Sequence, residues 1–460
     1  MITLKASTIA SIINGTLYGD DCEINGSVEI SSKSCTSGSI FVAIAGEKVD
    51  GHDYVSDAES HGAVLIISTR EVGSRCIVVE NPIEAITLLA RHIRTQLPEM
   101  KVIAITGSQG KTTTKELLAS ALRIKGEVVA PSGNHNNEIG VPLTLLKCSE
   151  STEFCVVEMG ARHQGDILHL SSIAQQHIGV VLRVAAAHIG EFGSLENIAL
   201  AKSEMIQGLS PEGIAVLGDY DAFTPSMRSL HQGDVLMFGE KAEDDVRAAD
   251  IELRDGRPYF DLVTPEGRST VALRLVGAHQ IANALAAATV LHALKWSAEE
   301  IAGALSLAEN DAKWRMELHE LPDLLLINDA YNASPDSMAA AIRTLAHLSQ
   351  ERGGESWAFL GKMAELGESA VREHEAIGTL ALEMGIDHLV AIGAPEYGAL
   401  LMSDGATSIH ICADKSEAEH FINYINRGDV VLCKGSRSAG LEEIAAKIEE
   451  SWMSRIEEQA

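Results

Sequence analysis

From Val102 to Thr106 the chain reads Val-Ile-Ala-Ile-Thr, with no charged residue. A run this short and β-branched predicts a strand buried on both faces. Similar runs recur at 154–158, 178–182 and 214–217, and amphipathic patterns fill 112–125, 165–173 and 195–208. Strand and helix in alternation predict a parallel sheet covered by helices on both faces. A strand-rich patch at about 247–275 follows, then an Ala-rich helix at 279–295. The alternation restarts with strands at 324–328, 357–360, 388–392, 408–412 and 430–433. Helices are expected at 336–349, 371–385, 395–403, 416–426 and 440–458, so the last third reads as a doubly wound unit of its own. In the closing helix Ile444, Ile448 and Trp452 form one stripe and Glu442, Glu443, Glu449 and Glu450 lie outside it, the pattern of a docked helix with a solvated face. Before residue 97 only short apolar runs appear, at 39–44 and 63–67, separated by Gly/Asp/Ser turns.

Two breaks divide this pattern. Residues 95–100 turn polar and carry Pro98, and 308–312 form a second hinge. The expectation is an α/β protein of three domains: a small α/β unit at 1–97, a central P-loop ATPase-like parallel-sheet unit at 98–310 and a Rossmann-like unit at 311–460. A length of 460 residues suits three domains at about 100–200 residues each. Composition then narrows the partners. Asp plus Glu total 65 against 36 Lys plus Arg, a formal charge of −29, and no basic stripe interrupts the acidic background. Nucleic acid and anionic membranes are poor partners for such a chain, because binding phosphates across a whole face needs clustered cations. A small anion held by a few local donors remains compatible with this charge. Seven cysteines without a CxxC pair predict reduced, structural thiols and a cytoplasmic protein. No signal peptide is read at the amino terminus, and no apolar stretch reaches the ~18 residues of a membrane span. A soluble monomer without membrane insertion is expected.

The chemistry concentrates between the strand at 102–106 and the helix that follows it. There stands Thr106-Gly107-Ser108-Gln109-Gly110-Lys111-Thr112. A nucleotide phosphate needs converging backbone N–H groups, a helix amino terminus, a lysine for charge and a hydroxyl for Mg²⁺, and this segment supplies all four. The spacing departs from the Walker pattern, with Ile105 where its first glycine stands and a glycine at 107 instead. ATP binding through Gly107, Ser108, Gln109, Gly110, Lys111, Thr112 and Thr113 is the favoured reading. A strand–turn–helix junction that merely contains Gly-Lys-Thr is the alternative. Leu117, Leu118, Ala121 and Leu122 in the following helix are expected in the core.

This loop resembles that of the Mur ligases, the ATP-dependent amide-forming enzymes of peptidoglycan precursor synthesis. The likeness extends, in the family's order, through Gly133-Asn134-His135-Asn136-Asn137-Glu138-Ile139-Gly140-Val141-Pro142, Glu158-Met159-Gly160, His188-Ile189-Gly190-Glu191-Phe192-Gly193-Ser194, Ala201-Lys202-Ser203-Glu204 and Gly277-Ala278-His279-Gln280-Ile281-Ala282-Asn283-Ala284. Asp329-Ala330-Tyr331-Asn332-Ala333-Ser334-Pro335, Met363-Ala364-Glu365-Leu366-Gly367 and Lys434-Gly435-Ser436-Arg437 resemble the members that add D-alanyl-D-alanine to UDP-N-acetylmuramoyl-tripeptide. Near the start, Gly46 to His52 is similar to the family's uridine-nucleotide domain, although Ser31-Ser32-Lys33 stands where relatives show Asp-Ser-Arg. Lys362 and Gln280 also replace an expected Asp and Asn.

The resemblance implies a fold and a set of roles. Residues 1–97 would bind the UDP substrate, 98–310 ATP, and 311–460 would close over ATP and bind the acceptor. Lys111 and the loop amides would hold the β- and γ-phosphates. Thr112 and Glu158 would hold one Mg²⁺, and His188 with Lys202, carrying CO₂ as a carbamate, would join Glu158 around a second. Asn283 and Asp329 would contact the nucleotide, and Arg315 the γ-phosphate. Asn137, Asn332, Ser337, Lys434 and Arg437 are the substrate candidates, Arg437 for a terminal carboxylate in competition with Lys434 and Lys362. Read by themselves, these residues have plainer roles. Glu158 would be a solvated turn residue, His188 a satisfied loop histidine and Lys202 a surface lysine paired with Glu204 or Glu196. Asn283 could bond a neighbouring turn, and Arg315 could pair with Glu317. Rival functions are a Mur-type ligase adding one amino acid, a folylpolyglutamate-synthetase-like enzyme, and a P-loop switch.

Overall fold

In the computed structural model, residues 1–459 are described except Glu47, Ser132, Asn134, Ala187, His188, Asn310, Asp311 and residues 399–406. The buried runs become strands almost where the pattern places them. Lys101–Thr106 lies inside a nine-stranded sheet between Thr152–Glu158 and Ile178–Val181, and Glu127–Val129 forms the edge beyond Thr152–Glu158. In the other direction follow Ile214–Gly218, Asp234–Gly239, Val246–Arg254, Arg257–Thr264 and Gly267–Ala272. The expectation of a parallel sheet holds up to Val246–Arg254, and the last three strands correct it by pairing antiparallel. The reason is local. Asp255 and Gly256 both take positive φ, +49° and +67°, and a two-residue left-handed turn of this kind makes a hairpin, whereas a parallel return needs a long crossover.

Helices cover both faces of this sheet. On one, Lys111–Leu122 packs on Gln280–Ala293, where Leu117, Leu118 and Leu122 meet Ala284, Ala287 and Ala288. The alanines allow a close approach, and each buried leucine contributes about 2 kcal/mol. On the other face lie Pro82–Gln96, Asp166–Ala174 and Leu195–Gln207, whose core continues into the first unit through Ile9, Ile40 and Leu65. The pattern reading did not single out Pro82–Gln96, although Asn81 caps it, accepting from the Ile83 and Glu84 amides, and Pro82 opens its first turn.

The last third forms a six-stranded sheet in the order Glu317–Leu321, Leu324–Asp329, Val430–Lys434, Ser356–Gly361, His388–Ile392, Ser408–Cys412. All neighbours pair parallel except the first two, which form a hairpin that the polar sequence of Glu317–Leu321 concealed. Two helix expectations change here. Residues 395–403 show only a 3₁₀ turn at Pro395–Gly398 before the undescribed segment, and 416–426 splits into Lys415–Ala418 and a 3₁₀ turn at Glu419–Tyr424. A five-stranded sheet of Thr16–Tyr18, Cys76–Val78, Ala63–Ser68, Ser39–Val42 and Val28–Glu29 builds the first unit.

Arg94 ties the helix Pro82–Gln96 to the central sheet. Its buried guanidinium donates to the carbonyls of Ala174, Leu97 and Gln175 at 3.1, 3.0 and 3.3 Å. Beside it, His177 Nδ1 accepts the Val102 amide at 3.0 Å, which requires a neutral ring. Burial, then the Arg94 and Lys101 charges, push this imidazole down to about 4. An unfolded histidine takes its proton near pH 6.5, so as pH falls from about 6.5 to 4 the unfolded chain gains a proton that the fold refuses, and stability drops. We expect urea midpoints to fall through this window and His177→Gln to flatten the slope. Equal slopes in the two proteins would show that His177 carries none of it.

Candidate functional site

The phosphate loop is anchored before any ligand arrives. Ser108 N donates to the Arg183 carbonyl, its hydroxyl donates to the Ala185 carbonyl, and the Ala185 amide donates back to Ser108 Oγ, each at 2.9 Å. Thr106 Oγ1 donates to the Met159 carbonyl at 2.8 Å. These bonds fix the carboxyl ends of three neighbouring strands against one another. Gly110 has φ +81° and opens the helix Lys111–Leu122; a Cβ there would collide with Asn283 Oδ1. The helix amino terminus therefore emerges at the carboxyl edge of the sheet with its first N–H groups directed into a cavity, the arrangement that favours an anion.

That cavity has a volume of 1230 Å³ and is lined by residues from Ser108 to Lys434, so the central and last sheets build it together. No residue before Ser108 lines it among the described residues. Two contacts hold the walls to each other. Gln109 Nε2 donates to Ser334 Oγ at 3.1 Å and Asp336 Oδ2 at 3.3 Å, and Gly190 N donates to the Glu365 carbonyl at 3.2 Å.

Inside, Glu158 is buried at the end of its strand. One carboxylate oxygen accepts Thr112 Oγ1 at 2.8 Å and the other accepts Asn136 Nδ2 at 2.9 Å. The buried carboxylate and the hydroxyl are hard-oxygen donors that fit Mg²⁺. No three His, Cys, Asp or Glu side chains form a ready metal cage among the described residues, and His188 lies outside them. Lys111 Nζ rests on the Gly107 carbonyl at 2.8 Å, and burial lowers its ammonium against the raising effect of Glu158. Its side chain is half-buried in the first helical turn.

Lys202 is 5% exposed on the helix Leu195–Gln207, lines the cavity and has no hydrogen bond or ion pair among the described residues. The pairings open to it as a surface lysine are thereby replaced, since Glu204 accepts the Gly165 and Leu168 amides instead. Burial, then the nearby Lys111 charge, bring its ammonium down to about 7.

The other predicted residues land in three places. Asn283 is buried against the loop, accepting from Thr114 Oγ1 at 3.5 Å and donating to Gln280 Oε1 at 2.8 Å. Arg315 lies 4.0 Å over the Tyr331 ring, while Glu317 accepts the Trp314 amide. Asp329 and Lys434 pair across two strands at 2.6 Å, and Lys434 also donates to the Asn332 carbonyl at 3.0 Å. Ser337 forms a capping box with Ser334, and Asn137 accepts the Gly140 amide at 3.0 Å to open the helix Gly140–Leu145. All of these line the cavity. Arg437 and Lys362 do not; Arg437 pairs with Glu442 and stacks 4.5 Å from the Trp314 ring. Sequence reasoning passed over Asn136, which reaches Glu158 where its neighbour Asn137 does not, and Gln109's reach to Asp336. Neither had a local signal, because each partner is remote in sequence.

The Lys202 environment predicts its reactivity. With a trace of acetic anhydride across a pH series, acetylation of Lys202 read by peptide mass spectrometry should reach half its maximum near pH 7, against about 10.4 for exposed lysines. A midpoint with the exposed lysines would refute the assignment.

With this geometry in hand, the comparisons with known proteins are specific. Residues 26–100 match the Mur ligase family catalytic domain, 105–291 the Mur ligase middle domain and 314–437 the Mur ligase glutamate ligase domain. The chain is 37% identical to the UDP-N-acetylmuramoyl-tripeptide–D-alanyl-D-alanine ligase of Mycobacterium tuberculosis over 97% of both chains. It superposes on the crystal structure of MurF from Acinetobacter baumannii with a TM-score of 0.87 at 33% identity, covering 97% of this chain and 99% of that one. The MurF ligase of Thermotoga maritima in complex with ADP aligns with a TM-score of 0.79 at 30% identity, over 94% and 98%. The three-domain fold, the anchored phosphate loop and these matches lead to one conclusion: the chain belongs to the Mur ligase family.

Proposed function

We propose that this protein joins D-alanyl-D-alanine to UDP-N-acetylmuramoyl-tripeptide with cleavage of ATP to ADP and phosphate, in the cytoplasmic synthesis of peptidoglycan precursor for cell wall biogenesis. The observation that carries the reading is the meeting, in one cavity, of the loop residues Ser108–Thr113 and Glu158 with the wall that carries Asp329 and Lys434. The tripeptide carboxylate attacks the γ-phosphorus, ADP leaves, and an acyl phosphate forms. The free amine of the dipeptide then attacks the acyl carbon, releasing phosphate and a proton as the amide forms.

In this reading Lys111 and the loop amides gather the phosphates, a role worth several kcal/mol in transition states of this type. Mg²⁺, when bound, supplies the charge neutralisation that lets two anions meet. Thr112 and Glu158 hold one ion. Lys202, whose low basicity leaves a reactive neutral amine near pH 7, takes up CO₂ and serves with His188 and Glu158 at a second. Asn283 and Asp329 contact the nucleotide and Arg315 the γ-phosphate. Asn137, Asn332, Ser337 and Lys434 belong to the substrate side. Residues 1–97 bind the uridine nucleotide, 98–310 bind ATP, and 311–460 close over it and bind the acceptor, the whole acting as a monomer.

Two measurements test this. In a panel of acceptors, each with its matching UDP-muramoyl precursor and with phosphate release followed, the dipeptide should be ligated fastest. Faster ligation of L-alanine, D-glutamate or a diamino acid would overturn the substrate assignment and leave the ATP chemistry standing. For the modification, ¹³C NMR of active, Mg²⁺-loaded protein with labelled bicarbonate should show a carbamate signal that Lys202→Ala removes; no signal in active protein would end that part of the proposal.

A further inference from the structure

The wall contributed by the last third of the chain brings three cations to the cavity, Arg315, Arg343 and Lys434. Two are already engaged. Lys434 gives its ammonium to Asp329 and to the Asn332 carbonyl, and Arg315 lies on Tyr331 near enough to Lys111 for its charge to lower that ammonium. Arg343 is exposed, lines this cavity and a smaller neighbouring one beside His347, and has no hydrogen bond, ion pair or ring contact among the described residues.

Its position along the helix is informative. The helix Pro335–Arg352 starts at a Ser334/Ser337 capping box, and Asp336, Ala339, Ala340 and Arg343 share the face that lines the cavity. Asp336, at the near end, accepts from Gln109 of the phosphate loop. Seven residues later Arg343 lies about 10 Å further along the axis. Helical side chains lean back toward the amino terminus, and Ala339 and Ala340 are too short to screen the guanidinium from the space in front of the loop. An extended dipeptide spans about 7 Å. With its amine directed at the acyl carbon beside the phosphates, its carboxylate therefore falls within reach of Arg343. The amine adds to a face of the planar acyl carbonyl and phosphate leaves from the tetrahedral adduct, so an acceptor lying along the wall opposite the phosphate loop, where this helix stands, can reach it.

We infer that Arg343 binds the terminal carboxylate of the acceptor dipeptide, and that this fork, rather than Arg437 or Lys362 outside the cavity, selects an acceptor bearing a carboxylate at that distance. Planar guanidinium and carboxylate match in a two-bond pairing that lysine cannot copy. The inference rests on the ligase reading above.

The test compares wild type, Arg343→Ala and Arg343→Lys with two acceptors, D-alanyl-D-alanine and its C-terminal amide. Arg343→Ala should raise KM for the dipeptide roughly ten- to a hundredfold, the usual effect of losing a charged hydrogen bond, and leave KM for ATP unchanged. Wild type should lose a similar factor on going from acid to amide, the alanine variant should scarcely distinguish the two, and the lysine variant should recover part of the preference. An unchanged dipeptide KM, full acid-over-amide preference in Arg343→Ala, or a rise confined to the KM for UDP-N-acetylmuramoyl-tripeptide would each overturn the inference. If wild type ligates no dipeptide at all, the ligase reading falls and this assignment with it.

Discussion

The site depends on one constraint: two anions, a carboxylate and a nucleotide phosphate, must be brought together inside a protein of net charge −29. Charge of that sign spread over a surface repels both, so the cations that neutralise them have to be local and shielded from solvent, where a Coulombic contact is less screened. Lys111 and Arg315 bring positive charge to the cavity in which the carboxylate of Glu158 is buried. Burial, and after it the repulsion of neighbouring cations, lowers the basicity of Lys111 and of Lys202. The electrostatic cost of the cluster is kept in the folded state because the surrounding core is large and continuous, with leucines and alanines packed beneath the loop.

Geometry follows from sheet direction. Parallel strands deliver all their carboxyl ends to one edge, where Val181 stands opposite Thr106 and Glu158 opposite Ile105, one residue away. The loop, the carboxylate and the segment leading to residue 188 thus leave the sheet at the same edge. The antiparallel extension beyond Val246 leaves this edge intact, since it adds strands at the far side of the sheet. The second sheet brings Asp329 and Lys434 to its own carboxyl edge by the same rule, in neighbouring strands with Asp329 directly opposite Lys434. The parallel parts of the two sheets thus contribute opposite walls of one cavity, one carrying the loop at 108–113 and the other Asp329 and Lys434, joined through Gln109 and Gly190.

Much of this was legible along the chain. Buried strands announce themselves by unbroken apolar runs, and the strands at 102–106, 324–328 and 430–433 were placed to within a residue or two. Elements that face solvent on one side left weaker marks. Glu317–Leu321 is an edge strand with alternating polar residues, and it becomes a strand because Leu324–Asp329 offers it a hydrogen-bonding partner through a tight turn at Asp323, φ +56°. The phosphate loop was readable because its function lies in adjacent residues, whose spacing is fixed by covalent geometry.

The sequence by itself determined the order of strands and helices, the loop at 107–113 and the roster of chemically capable residues, since each of these is a property of local pattern. Tertiary structure alone decided which of those residues meet. Asn136 reaches Glu158 and Asn137 caps a helix, although they are neighbours in the chain. Arg437 turns out to Glu442 while Arg343, an unremarked helical arginine, faces the cavity. Burial, then the charge of Lys111 on another helix, brings the Lys202 ammonium down to about 7. Direction, burial and charge environment are set by packing among remote segments, and no local pattern records them.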